Sequence, residues 1–151
     1  MQYAIIGSGA IGSALASHFV RKHVRVLLAN KSDGQSLGSV ARRLGPEITA
    51  VSVGEALQAD VVILAVPFGA VGEVTANAGP WSERIVVDAT NAIDFPAFTP
   101  TNLDGRPSSE IVAEQVRGAR VVKAFNTLPA ALLASSPELE GGTSRTFPLG
   151  Q

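Results

Sequence analysis

The sequence predicts an α/β fold, a doubly wound parallel sheet of about six strands with helices on both faces. Short apolar runs alternate with stretches of helical periodicity along the chain. The runs are continuous rather than in–out alternating, as strands covered on both faces are. A glycine-rich turn stands between the first run and the first helical stretch.

Residues 3–6 form the first strand, which stops at Gly7. Ile11, Ala14, Leu15, His18 and Phe19 then recur at helical spacing. Residues 24–29 read as the second strand and 36–44 as a short helix closed by Gly45-Pro46, a helix stop. The third strand covers 48–51, one or two helical turns cover 53–58, and the fourth strand, with the purest β signal, covers 61–66. A helix over 70–78 ends at Gly79-Pro80. Residues 85–88 are the fifth strand, 108–116 a helix, 120–124 the sixth strand and 129–134 a short helix. Residues 94–107 hold Pro96, Pro100, Gly105 and Pro107 and are expected to be a long irregular loop, a kind often functional.

At 151 residues the chain is the size of one domain, and it is taken as one dinucleotide-binding domain over 1–151. Hydrophobic residues make up 46% and charged residues 17%, which excludes disorder as the main state. The net charge of −1 leaves no basic excess for nucleic acid. The absence of cysteine excludes thiolate metal sites, thiol nucleophiles and disulfides, and two histidines are too few for a His-rich metal site, so no metal is assigned. The apolar stretch 61–71 is too short to span a bilayer and contains Pro67. The first apolar run begins at Tyr3, which leaves no room for a cleavable leader. The expectation is a soluble, cytoplasmic protein with no membrane or nucleic-acid partner.

Gly7-Ser8-Gly9-Ala10-Ile11-Gly12 fits G-x-G-x-x-G between a strand and a helix. That context identifies a Rossmann-like NAD(P)-binding turn. Gly7 allows the tight turn, Gly9 lets a pyrophosphate approach the backbone, and Gly12 lets the helix pack on the strand. The amides of Ala10 and Ile11 then face phosphate oxygens from the positive end of the helix dipole. The alternative is a glycine-rich turn used only for close packing, but three glycines at this spacing between a strand and a helix rarely serve packing alone.

An NAD site usually carries Asp or Glu at the end of the second strand. Here Asn30-Lys31-Ser32 stands there. Lys31 and Ser32 suit a 2′-phosphate, which a carboxylate would repel, so NADP(H) is expected over NAD. Asp33 can cap the following helix or face the phosphate, and Lys31 can also be an ordinary exposed lysine.

The ligand in such a sheet lies at the carboxyl ends of the strands, where strand order reverses between the first and fourth. The fourth ends in Val66-Pro67-Phe68, which is shaped to turn over a flat ring. Phe68 either stacks near the nicotinamide or fills the core. Beyond the fifth and sixth strands stand Asn91, Asn126 and Thr127, neutral groups that orient a carboxamide or a heterocycle but do no acid–base work. Asp88 and Lys123 lie within apolar strands and read as a buried ion pair or caps. His18, on the apolar stripe of its helix, reads as a partly buried, hydrogen-bonded histidine, and His23 lies at the far end of the sheet. No residue is assigned a catalytic role, and no G-x-S-x-G elbow supports hydrolysis.

Together with Ala29-Asn30, Ala65-Val66-Pro67, Asp88-Ala89-Thr90-Asn91 and Val121-Val122-Lys123-Ala124-Phe125-Asn126-Thr127, the glycine turn resembles the NADP oxidoreductases dependent on the coenzyme 8-hydroxy-5-deazaflavin. The resemblance runs from Met1 to about Leu139. Similar V-V-K-A-F-N-T strings occur in the cytoplasmic domains of membrane ferric reductases. The resemblance implies hydride transfer between NADPH and a deazaflavin or flavin-like acceptor. By position it implies that Ser8, Ala10 and Ile11 hold the pyrophosphate and Asn30, Lys31 and Ser32 the 2′-phosphate. It places Val66, Pro67 and Phe68 at the nicotinamide, with Asn126 and Thr127 towards the second cofactor. Hydride transfer between stacked rings needs orientation more than proton transfer.

Two departures stand out. Family members often carry arginine just after the second strand, where this chain has Lys31 and Ser32, a point charge without the bidentate fork. Members also continue further, with elements that help form the acceptor pocket and the dimer, so that part of the family is expected to be missing beyond Gln151. The expectations are a reductase passing hydride to a small-molecule redox acceptor, as a homodimer, or else a non-catalytic NADP(H)-binding module or half of a larger reductase.

Overall fold

The computed structural model describes residues 1–31 and 34–136. Ser32, Asp33 and residues 137–151 lie outside the described residues.

In chain order the elements are β1 (Tyr3–Ile6), α1 (Ala10–Arg21), β2 (Val26–Ala29), α2 (Gly34–Leu44), β3 (Ile48–Ala50), α3 (Val53–Ala56) and β4 (Val61–Leu64). A 3₁₀ turn (Phe68–Ala70) leads into α4 (Val71–Thr75), followed by β5 (Ile85–Asp88), β6 (Ile93–Asp94), β7 (Thr99–Pro100), α5 (Ser108–Gln115), β8 (Arg120–Lys123) and α6 (Ala130–Ala134). Strands β3-β2-β1-β4-β5-β8 form one parallel sheet in that order. Strand order therefore reverses beside β1 and β4, as the sequence predicts.

Successive strand residues point to opposite faces, and both faces here are apolar. Ala4, Ile6, Val62, Leu64 and Val86 pack beneath α3, α4 and α5 with Trp81 and Val112. Ile5, Leu28 and Ile63 pack beneath α1, α2 and α6 with Leu15, Leu37 and Leu133. Ile5 and Leu28 are wholly buried, and each such side chain contributes about 1.5–3 kcal/mol. The last carbonyls of α6 are tied to α1: His18 Nε2 meets Leu133 O at 2.5 Å, and Arg21 Nη2 donates to Ala134 O at 2.7 Å. His18 is thus partly buried and hydrogen-bonded, as expected. Among the described residues no helix is long and apolar enough to cross a membrane.

The register aligns the strand ends. Ile6 lies opposite both Ala29 and Leu64, Leu64 opposite Asp88, and Asp88 opposite Lys123. The residues that follow these positions form one rim.

The segment expected to be irregular over 94–107 is in part a small hairpin. Strands β6 and β7 pair antiparallel, Thr101 Oγ1 donates to Asp94 Oδ1 at 2.7 Å, and the rings of Phe95 and Phe98 meet edge to face at 4.9 Å. Its strands are two residues long, too short for an alternating pattern, and Pro100 ends one of them. Several elements are shorter than predicted: β2 begins at Val26, β4 ends at Leu64, and the helix expected over 70–78 opens with a 3₁₀ turn and ends at Thr75.

Candidate functional site: the rim over the first and fourth strands

Gly7 has φ +114°, which disfavours a side chain, and a Cβ there would lie 2.1 Å from the carbonyl oxygen of Ala65 at the end of β4. A Cβ on Gly12 would lie 1.8 Å from the Gly7 carbonyl oxygen and 3.4 Å from Ile5 Cγ2. A Cβ on Gly9 would meet nothing within 4 Å. Two glycines are therefore needed by packing within the protein, and the one between them opens on free space. This is the arrangement that the glycine fingerprint calls for, with its middle glycine open to close approach from outside.

Gly9 is the N-cap of α1, its carbonyl accepting from Ser13 N at 2.9 Å, and it brings no capping side chain. The first amides of the helix have no partner within it, and the first turn carries no acidic residue. Ser8 is fixed from two sides: Ser13 Oγ donates to its carbonyl at 3.1 Å, and Asn30 Nδ2 donates to its hydroxyl at 2.7 Å. Asn30 thereby ties the glycine loop to the end of β2.

Lys31 is exposed and forms an ion pair with Glu73 of α4. Beside Asn30 a pocket of about 500 Å³ opens at the ends of β2 and β3, lined by Ala50, Val51, Ser52, Val53 and Glu55 among others. Beyond β4, Pro67 is exposed and its carbonyl accepts from Ala70 N at 2.9 Å. Val66 and Phe68 are half-buried against the core on the α3–α4–α5 face. The core role thus claims at least part of the Phe68 ring.

Beneath the rim at β5 and β8 lies a buried polar cluster. Asp88, wholly buried, accepts from Thr90 N at 2.9 Å, Thr90 Oγ1 at 2.7 Å and Lys123 Nζ at 2.9 Å. Lys123 Nζ also donates to Thr90 O at 2.6 Å. The expected ion pair and the expected cap are both present. Above it Asn91 Nδ2 donates to Asn126 O at 3.0 Å and Asn126 Nδ2 donates to Asn91 Oδ1 at 3.4 Å. These amides brace one loop against the other. Phe125, between Lys123 and Asn126, has φ +64°, a conformation that costs a bulky residue energy. Thr127 is exposed on the same loop.

His23 and Glu47 pair at 3.0 Å just before β2 and β3, at the opposite edge of the sheet. The hydrogen bond from His23 holds the Glu47 carboxyl below its ordinary range. In the rim, Asp88 and Lys123 satisfy each other. The rim presents an open helix start, the exposed Lys31 and neutral amides, and it offers no free acid–base pair among the described residues.

The family model described as "NADP oxidoreductase coenzyme F420-dependent" matches residues 2–92. The chain belongs to this family. Coenzyme F420 is the 8-hydroxy-5-deazaflavin of the resemblance drawn above, and the match covers the glycine loop, Lys31, Glu73 and Asn91. A crystal structure of a hypothetical protein from Sinorhizobium meliloti is 55% identical with a TM-score of 0.87, over 91% of this chain and 67% of that one. A candidate F420-dependent NADP reductase from Arthrobacter is 21% identical with a TM-score of 0.74, over 87% of this chain and 65% of that one. A reductive aminase from Aspergillus terreus, solved with NADPH, is 18% identical with a TM-score of 0.65, over 87% of this chain and 42% of that one. The latter two share the fold. No curated protein matches the chain.

As a member of this family, the chain places most of its expected site residues on one rim. Gly12 abuts Gly7, Asn30 bonds to Ser8, and Lys31, Val66, Pro67, Asn91, Asn126 and Thr127 follow the strand ends along it. Phe68 sits lower, against the core. Sequence reasoning missed Glu73 and the pocket residues Val51, Ser52 and Val53. The pocket follows from β3 lying beside β2, but nothing in the spacing of Glu73 pairs it with Lys31.

Proposed function

We propose that the protein is an NADP(H)-dependent oxidoreductase that transfers hydride between NADPH and a deazaflavin or flavin-like acceptor. The observation that carries this reading is the contrast within the glycine loop: packing requires Gly7 and Gly12, whereas Gly9 faces open space at the start of α1. Family membership and the NADPH bound by the Aspergillus reductive aminase support it.

When bound, NADPH supplies a hydride from its nicotinamide ring. The protein's part is to hold and orient. The amides of Ala10 and Ile11 at the helix start, with Ser8, receive the pyrophosphate. Lys31, with Asn30 and Ser32, receives the 2′-phosphate. The apolar walls at Val51 and Val53 take the adenine. Val66, Pro67 and Phe68 bound the nicotinamide side, where Pro67 presents no amide to compete. Asn91, Asn126 and Thr127 face the acceptor, held by the Asp88–Lys123 cluster beneath them. Orientation of two rings supplies most of the rate in such a transfer.

The chain spans 67% of the length of its Sinorhizobium relative. We read the homodimer as the means of covering the rim. In its support, the edge strand β8 exposes Val122 at 46% and the loop after it exposes Phe125 at 40%. Sedimentation with acceptor kinetics over a dilution series tests this, and fast turnover by a monomer refutes it. The activity itself is tested by following NADPH oxidation with 8-hydroxy-5-deazaflavin, flavin and ferric acceptors. Turnover with a deazaflavin or flavin is expected. Tight NADPH binding without turnover would instead make the chain a binding module.

A further inference from the structure

Lys31 stands two residues beyond the end of β2, and Glu73 lies on α4, which follows β4. Strands β2 and β4 flank β1. The Lys31–Glu73 ion pair therefore links the two segments on either side of the glycine loop. The side chain of Lys31 is 53% exposed and that of Glu73 73%, so a ligand reaching the rim can reach both. The pair brings a carboxylate, from a different element, to the place where the end of β2 lacks one.

We propose that Glu73 is a specificity-determining residue that opposes NADPH by competing with its 2′-phosphate for Lys31. The proposal rests on the reading that Lys31 receives this phosphate. An ammonium group has three donors, but a carboxylate and a phosphate gathered around it repel each other. A dinucleotide bearing the 2′-phosphate must displace Glu73 or tolerate its charge. One without that phosphate leaves the ion pair in place. Glu73 thus lowers the preference for NADPH over NADH that Lys31 creates, and Lys31 is preorganised at the rim by the partner it later gives up. The effect is small, because an exposed ion pair is weak and screened by salt.

The test is fluorescence titration with NADPH and NADH of the unmodified protein, Glu73→Gln, Lys31→Met and the double variant, with circular dichroism as the folding control. Glu73→Gln is expected to tighten NADPH about two- to fivefold and to leave NADH unchanged. The gain should disappear in the Lys31→Met background and shrink in about 0.5 M salt. If Lys31→Met weakens NADPH while Glu73→Gln leaves it unchanged or weaker, the competition is refuted and the reading of Lys31 stands. If Glu73→Gln weakens NADH, the carboxylate accepts from the ribose hydroxyls, which also refutes it. If Lys31→Met changes neither affinity, the reading of Lys31 falls, and the proposal with it.

Discussion

Gly12 lies so close to Gly7 that a methyl group on it would stand 1.8 Å from the Gly7 carbonyl oxygen. The first turn of α1 is pressed onto the glycine loop, and the loop in turn onto Ala65 of the neighbouring strand end. Gly12→Ala is expected to force the helix off the loop and to cost at least about 1–3 kcal/mol. Denaturant unfolding of the variant checks this. An unchanged midpoint would mean that the helix shifts at no cost.

The Asp88–Lys123 pair joins β5 to β8 under the rim. Lys123→Met would leave a wholly buried carboxylate without its cation. Losing one partner of a buried pair costs about 3–5 kcal/mol, and Thr90, which still donates twice, should hold the loss near the low end. The expected result is a lower unfolding midpoint that Asp88→Asn in the same chain partly restores.

The charge at the end of β2 acts on one phosphate. Lys31→Glu is expected to weaken NADPH by about 1.5–3 kcal/mol and to spare NADH. Glu73 then faces a second carboxylate, which adds to the repulsion. Titrations at low and high salt check it, with the loss shrinking as salt rises. Equal affinity of the unmodified protein for the two nucleotides would contradict it.

At the other edge of the sheet, His23 holds the Glu47 carboxyl below its ordinary range. A carboxyl lowered on folding contributes stability that is full above its unfolded value, about 4.3, and is lost as pH falls through the folded value. Unfolding measured below about pH 4.3 should therefore show a shallower acid loss for Glu47→Gln than for the unmodified protein. Parallel curves would remove Glu47 from the acid limb.

The succession of strands and helices was legible because each apolar run is short, continuous and followed by helical spacing, and Gly45-Pro46 marks where α2 stops, whereas α4 ends at Thr75, short of Gly79-Pro80. The glycine loop was legible because its spacing carries its own geometry. The β6–β7 hairpin was not, since two-residue strands leave no period and Pro96 and Pro100 read as loop signals. The rim residues after β5 and β8 were visible as polar groups at strand ends. That Asn91 and Asn126 bond to each other was not legible, because they lie 35 residues apart on different loops. Glu73 escaped notice because its partner lies 42 residues away on another element.

Fluorescence titration of Gly9→Val with NADPH, beside the unmodified protein, tests the central claim most directly. A side chain at Gly9 enters free space in the folded chain, so the variant should fold as the parent does by circular dichroism. That same space is the approach to the start of α1, so NADPH binding should be lost. Unchanged affinity in a folded variant would contradict the account, because it would take the glycine loop out of the nucleotide site.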